Sequence, residues 1–325
     1  MTGLPRWRAP VPPFRNVYRA TAPRQDPMSE SVKRQDSLHR FLFEEHPVRG
    51  KLVHLDAAWQ AALEHTRYPE PVRHLLGQAM VASVLLAATL KFQGSLTLQI
   101  QGRGGLRLLV VQCGSDLTLR GMAQHEAELD PEVSFSGLVG QGGHMAITID
   151  PEAREERYQG LVPLEGDSLA ACLEGYFERS EQLPTRMWLA ENGEVAAGLL
   201  LQHVPQEGPE KDEDAFNRTT KLAETVSDEE LTRLPVRELL HRLYHEEDVR
   251  LFEARTVAFR CRCSREKITD VLRRLGREEV EEIIAEQGRV EVGCEFCGRK
   301  YRFDRVDAED LFTDPAQSQS SPRKH

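Results

Sequence analysis

Cys261-Arg262-Cys263 and, thirty residues further on, Cys294-Glu295-Phe296-Cys297-Gly298 decide how this chain is read. The spacing is C-x-C followed by C-x-x-C. Two close thiol pairs, brought together by a helical insert and a hairpin, suit tetrahedral coordination of one Zn²⁺ by four thiolates. The expected ligands are Cys261, Cys263, Cys294 and Cys297. Gly298 fits the bend behind the second pair, where backbone amides turn toward a sulfur and a side chain would crowd the turn. The other two cysteines read as buried and unreactive: Cys113 ends an apolar strand, and Cys172 shares a helix face with Leu169 and Phe177.

Working outward, residues 256–312 form the module that holds these thiols. Ser264 is placed to cap a helix carrying Ile268, Val271, Leu272 and Leu275, which stops at Gly276. A second short helix carries Val280, Ile283 and Ile284 and ends near Gly288. A hairpin then sets Val290 and Val292 before its turn and Tyr301 and Phe303 after it. So few core side chains need a staple. Structural zinc in small modules is worth about 10–16 kcal/mol, against a net stability of about 5–15 kcal/mol for a whole domain. Metal loss is therefore expected to unfold the module. Arg260, Arg262, Arg265, Arg299 and Lys300 flank the thiols in sequence, and positive neighbours favour the reactive thiolate.

Upstream, residues 205–255 read as a charged helical linker. Between Pro205 and Arg250 there are 13 acids and 7 Lys or Arg. The opening, 205–214, has almost nothing to bury. Ser227 with Glu230 is a capping box, and Leu239, Leu240 and Leu243 make a narrow apolar stripe. Such helices can dock on another surface but are too weak to stand alone.

Residues 36–204 read as a mixed sheet-and-helix core domain, which makes the fold class α+β. Pro71 to Lys91 has helical spacing. Leu96–Ile100 and Leu106–Val111 flank a glycine-rich turn as a hairpin. Leu117–Met122, Met145–Ile149, Tyr158–Leu164, Arg186–Ala190 and Val195–Val204 read as further strands. Ser168–Ser180 reads as a helix capped by Asp167. Residues 1–35, with six prolines and five arginines before Met28, read as a disordered leader, and 313–325 as a disordered tail.

The bulk composition excludes several roles. The chain has 325 residues, 40% of them hydrophobic and 29% charged, with a net charge of −10. That charge opposes nonspecific binding to nucleic acid or to an anionic membrane. The longest apolar run, Ala79–Leu90, falls short of the ~18–20 residues that span a bilayer, so a soluble protein is expected. Gly102-Arg103-Gly104-Gly105 lacks the Lys and Ser/Thr of a phosphate cradle, so no nucleotide partner is expected. His241 and His245 are four apart on a helix but lack the Glu of a His-Glu-x-x-His site.

Several segments carry a resemblance to a known family. They are His39-Arg-Phe-Leu-Phe43 with Val48-Arg-Gly50, Ala87-Ala-Thr-Leu-Lys-Phe92, Tyr158-Gln-Gly160, the long run Leu164 to Thr185, Arg242-Leu-Tyr-His-Glu-Glu247, and the four cysteines. Over about Leu38 to Phe312 the chain resembles the redox-regulated 33 kDa chaperonin (heat shock protein 33) family. The resemblance implies a cytoplasmic, ATP-independent holdase and not an enzyme. Reduced, such a protein keeps zinc on Cys261, Cys263, Cys294 and Cys297 and is inactive. Oxidised, it pairs Cys261 with Cys263 and Cys294 with Cys297, releases zinc, unfolds its linker and module, dimerises, and binds unfolding client proteins. Leu231, Leu234, Leu239 and Leu243 are the candidates for client contact once the linker undocks. Two other readings of the cysteines stay open: a nucleic-acid-binding zinc ribbon, and a thiol–disulfide oxidoreductase built on Cys294-Glu-Phe-Cys297.

Overall fold

The computed structural model describes residues 35–90, 92–152, 156–204 and 214–312. The expected leader apart from residue 35, the linker opening at 205–213 and the expected tail at 313–325 lie outside the described residues.

Two six-stranded sheets enclose one helix. The first sheet runs, in spatial order, Val249–Leu251, Ser37–Phe43, Val48–Leu55, Ala196–His203, Thr185–Glu191, with Arg255–Thr256 also pairing to the start of Ser37–Phe43. The second runs Ala258–Phe259, Thr118–His125, Leu106–Gly114, Gly94–Gln101, His144–Pro151, Tyr158–Pro163. All pairings are antiparallel except Ala258–Phe259 on Thr118–Leu119. Helix Glu70–Thr89 lies between the sheets and contacts both.

That position explains the helix's sequence. Val72, Leu75, Leu76, Met80, Val81, Val84, Leu85 and Leu86 are all buried, so apolar side chains run around the helix instead of along one stripe. At 20 residues it is longer than the apolar run noted in the sequence, and by length and composition it could cross a membrane. Yet 72% of its apolar window is buried inside the fold, as in the core helix of a globular domain.

The first sheet is covered on both faces. One face meets the central helix. The other carries Phe41, Phe43, Val48, Leu52, Leu199 and Leu201, packed under helices Ala215–Ala223, Asp228–Arg233 and Val236–Tyr244. Two-sided burial is why Ala196–His203 is buried at nearly every position rather than at alternate ones. The second sheet alternates, as a sheet with one wet face should.

Local signals place most element ends. The Ser227–Glu230 capping box forms in both directions. Ser264 caps helix Arg265–Leu275, and Gly276 ends it. The cap of helix Leu169–Tyr176 is Ser168, whose side chain accepts from Ala171 N, and not the expected Asp167. This helix continues as a π-helical turn over Phe177–Glu181. The module contains a third helix, Arg305–Phe312, that the sequence reading missed; its Ala308 and Leu311 complete a core with Leu272, Val280, Val290, Tyr301 and Phe303.

Polar groups are buried where they tie elements together. The Glu191 carboxylate accepts from Trp59 Nε1 at 3.2 Å, Arg73 Nε at 3.3 Å and Gly193 N, with His74 Nδ1 at 3.6 Å. Burial acts to raise its pKa, but His74, Gly193 and Arg73 outweigh that and hold it below 4.5. The carboxylate therefore stabilises the fold at neutral pH, and that stability is lost as pH falls below 4.5 through its lowered folded value. We predict that Glu191→Gln flattens the acid limb of a stability-versus-pH curve measured by urea unfolding.

Gly50 pairs with Phe41 across the first two strands, and a Cβ there would sit 2.0 Å from the Phe41 ring. Phe41 is buried against Phe43 and Tyr244 and has no room to move. Gly50→Ala is expected to cost roughly 1–3 kcal/mol through overpacking, seen as a lower urea midpoint with the same slope.

Candidate metal centre

The chain reaches the four cysteines from the edge of the second sheet. Ala258–Phe259 pairs with Thr118–Leu119, Arg260 N donates to Leu119 O, and Cys261 follows at once. The second pair sits at the hairpin between Val290–Gly293 and Lys300–Phe303. Its turn is tied by Cys297 N and Gly298 N donating to Cys294 O, and by Cys294 N donating to Arg299 O. Gly298 has φ +63°, in the region that favours glycine, and a Cβ there would lie 2.3 Å from His65 of the core. The bend thus needs glycine twice, for its backbone and for its close approach to the core.

The sulfur atoms of Cys261, Cys263, Cys294 and Cys297 all lie within 4.8 Å of one another. The shortest separations are 3.6 Å from Cys261 to Cys294 and 3.5 Å from Cys263 to Cys297. Tetrahedral Zn²⁺, with Zn–S bonds of roughly 2.3 Å, spaces its sulfurs about 3.8 Å apart. The donor set fits.

Electrostatics make the same point. Burial acts to raise the Cys261 thiol, but the Cys263 backbone N–H, the Cys297 and Cys263 thiols and Arg120 outweigh it and bring it to about 7. Cys297 is pushed up to about 12 by burial and by its hydrogen bonds to the neighbouring thiols. Burial raises Cys294 as well. Thiolates packed this closely cannot all ionise unless a cation sits among them. All four side chains are part-exposed, so the group is open to solutes, whereas Cys113 and Cys172 are buried and their thiols pushed up by desolvation.

Of the cations the sequence suggested, Arg299 acts through its charge on Cys263 and Cys297, whereas two others are engaged elsewhere. Arg265 pairs with Asp307 at 2.7 Å and stacks on Phe303, and Lys300 pairs with Glu291 at 2.8 Å. The guanidinium that reaches a sulfur is Arg120, on the second sheet, with Nη1 3.7 Å from Cys261 Sγ. Gln112 holds it in place by accepting from Nε and Nη2. Arg120 also lies 4.1 Å from the Phe296 ring centroid, and Gln124 donates to Glu295 at 3.0 Å. No sequence signal marked Arg120, because 141 residues separate it from Cys261. Tyr301, read from the sequence as a core residue, also donates its hydroxyl to Cys263 Sγ at 3.1 Å.

The leucines proposed for client contact are covered. Leu231, Leu239 and Leu243 are buried and Leu234 partly so, all against the outer face of the first sheet.

A cation–π contact of the Arg120–Phe296 kind is worth about 0.5–2 kcal/mol. Phe296→Ala should therefore loosen the module's seat on the sheet without removing a ligand. The expected result is faster amide exchange over 118–125 and 258–260, by about two- to thirtyfold, with metal content unchanged.

Comparison with known proteins agrees with this architecture. The family model for Hsp33 protein matches residues 36–304. The 33 kDa chaperonin of Methylobacillus flagellatus is 52% identical over 86% of this chain and 94% of its own length. That of Nitrosococcus oceani is 49% identical over 90% of this chain and 100% of its own. The crystal structure of the 33 kDa chaperonin from Thermotoga maritima superposes with a TM-score of 0.73, covering 85% of this chain and 97% of that one at 24% identity, and so shares the fold. With its core, its covering helices and its four clustered thiols all inside the matched span, the chain belongs to the Hsp33 family of chaperones.

Proposed function

We propose that this chaperone is a redox-regulated, ATP-independent holdase whose four thiols act as the switch. The observation that carries the reading is the path of one segment. The helices over 215–244 cover the apolar face of the first sheet, Val249–Leu251 extends that sheet, Ala258–Phe259 joins the second, and Cys261 enters the thiol cluster two residues later. In the reduced state Cys261, Cys263, Cys294 and Cys297 hold one Zn²⁺, which when bound supplies the cross-link that the module's small core lacks. We take 36–204 as the core, 205–255 as the conditional linker and 256–312 as the switch module.

Oxidation by a peroxide withdraws the donors from the metal. Each disulfide forms as two thiols give up two electrons and two protons, and the peroxide is reduced to water. Cys261 with Cys263 and Cys294 with Cys297 are the pairs that stay close even in an unfolded chain, whereas the cross pairs depend on the fold. Loss of the staple unfolds the module, and the linker helices, marginal alone, undock. The oxidised chain then dimerises and captures unfolding or oxidatively damaged proteins, with Leu231, Leu234, Leu239 and Leu243 among the surfaces released. The role is non-enzymatic and cytoplasmic, without nucleic acid, nucleotide or membrane as partner.

The test is to treat the zinc-loaded protein with peroxide at mildly raised temperature. Expected are release of one zinc per chain, two disulfides by mass, protease sensitivity confined to the linker and module, and suppression of a client's aggregation. Zinc release without any effect on aggregation would overturn the reading. Leu239→Ser, which puts a hydroxyl against the sheet, should undock the helices at a cost of about 2–5 kcal/mol and give client capture without oxidation.

A further inference from the structure

Tyr301 spans the two halves of the thiol cluster. It lies on the second strand of the hairpin, opposite Val292, and its ring is buried in the module core with Leu272, Val280, Val290 and Phe303. A phenol buried to that depth needs a partner for its hydroxyl. The partner is on the other ligand segment: Tyr301 Oη lies 3.1 Å from Cys263 Sγ.

Which atom donates follows from a third group. The Arg299 guanidinium, exposed at the knuckle, is hydrogen-bonded to the Tyr301 hydroxyl. A guanidinium has donors and no acceptor. The phenol oxygen therefore accepts from Arg299, which leaves its proton for the sulfur. The result is a directed chain, Arg299 to Tyr301 to Cys263, in which each bond polarises the next. Cys294 and Cys297 are served differently. Cys294 accepts from the backbone N–H groups of Phe296 and Cys297, and Cys297 from that of Arg299. Those donors belong to the knuckle itself, whereas the donor on Cys263 is a side chain.

We propose that Tyr301, oriented by Arg299, is a positioning residue that quiets Cys263: its hydroxyl engages a sulfur lone pair and slows attack by that thiolate on an electrophile. Stabilising a thiolate lowers its nucleophilicity by roughly 0.4–0.5 of the free energy gained. For one hydrogen bond to a charged group, that makes attack about three- to tenfold slower. With hydrogen peroxide the sulfur takes one hydroxyl, becomes a sulfenic acid, and releases hydroxide as the O–O bond breaks. Tyr301 thus sets how much oxidant the Cys261–Cys263 pair withstands. That threshold rests on the redox reading of the thiols; the quieting of Cys263 does not.

The test is Tyr301→Phe, which removes the hydroxyl and keeps the ring. The zinc-loaded full chain, native and variant, is treated with iodoacetamide, and the initial labelling rate of each cysteine is read by peptide mass spectrometry. Zinc content and circular dichroism check that the variant is folded. Cys263 should label about three- to tenfold faster in the variant, with Cys294 and Cys297 near their native rates. Arg299→Leu, at an exposed position, leaves the hydroxyl without its orientation and should show part of the same gain at Cys263. An unchanged Cys263 rate in Tyr301→Phe overturns the role of Tyr301. Equal acceleration of all four thiols overturns it too, since the residue would then only hold the module together. An unchanged Cys263 rate in Arg299→Leu strikes Arg299 from the chain. In parallel, peroxide-driven zinc release should be several-fold faster in Tyr301→Phe. Faster labelling with an unchanged release rate overturns the threshold. Failure of peroxide to release zinc from either protein would strike the redox reading, and the labelling would still decide what Tyr301 does.

Discussion

Four sulfur atoms confined within 4.8 Å of one another set the terms for the C-terminal third of this protein. Thiolates that close repel, and the module around them contributes a core of only seven buried side chains, two of them from its last helix. Neither problem is solved by packing. A divalent cation held by the four cysteines would solve both, because it would neutralise the sulfurs and cross-link chain segments that are thirty residues apart. On the function proposed above, the module's stability is borrowed from coordination chemistry, and coordination by thiolates is chemistry that an oxidant can reverse.

The consequences reach beyond the module because of how the chain is routed. The segment from Ala215 to Cys261 covers the outer face of the first sheet, adds Val249–Leu251 and Arg255–Thr256 to that sheet, and then joins the second through Ala258–Phe259. Those last strands are two or three residues long, and so short a pairing holds only when both its ends are anchored. One anchor is the helix layer, seated by Leu231, Leu239, Leu243 and Tyr244. The other is the thiol cluster, seated by Arg120 on Cys261 and Phe296 and by Gln124 on Glu295.

The core beneath has a different character. Helix Glu70–Thr89 is enclosed by two sheets, and Glu191 links Trp59, Arg73 and the Gly193 turn through a buried carboxylate. The contrast is physical: the core keeps its shape from a large apolar cluster, whereas the module buries far fewer apolar side chains.

Much of this was legible in the residues. The cysteine spacing, the Ser227–Glu230 and Ser264 caps, Gly276 and Gly288 as helix ends, and the alternating strands about Gly102–Gly105 are local signals, and local signals survive in one dimension. The first two strands had no such signature beyond the family segments, because Val48–Leu55 is buried on both faces and shows no alternation. The helix Arg305–Phe312 went unread because its Ala308 and Leu311 offer only a two-residue apolar face. By itself, the sequence determined that four thiols with metal-binding spacing sit in a small module with few core side chains, behind charged helices with a narrow apolar stripe. Only the tertiary structure decided which surface those helices cover and which cation meets the sulfur. Both depend on contacts between residues more than a hundred positions apart, where chain connectivity carries no information and packing alone chooses.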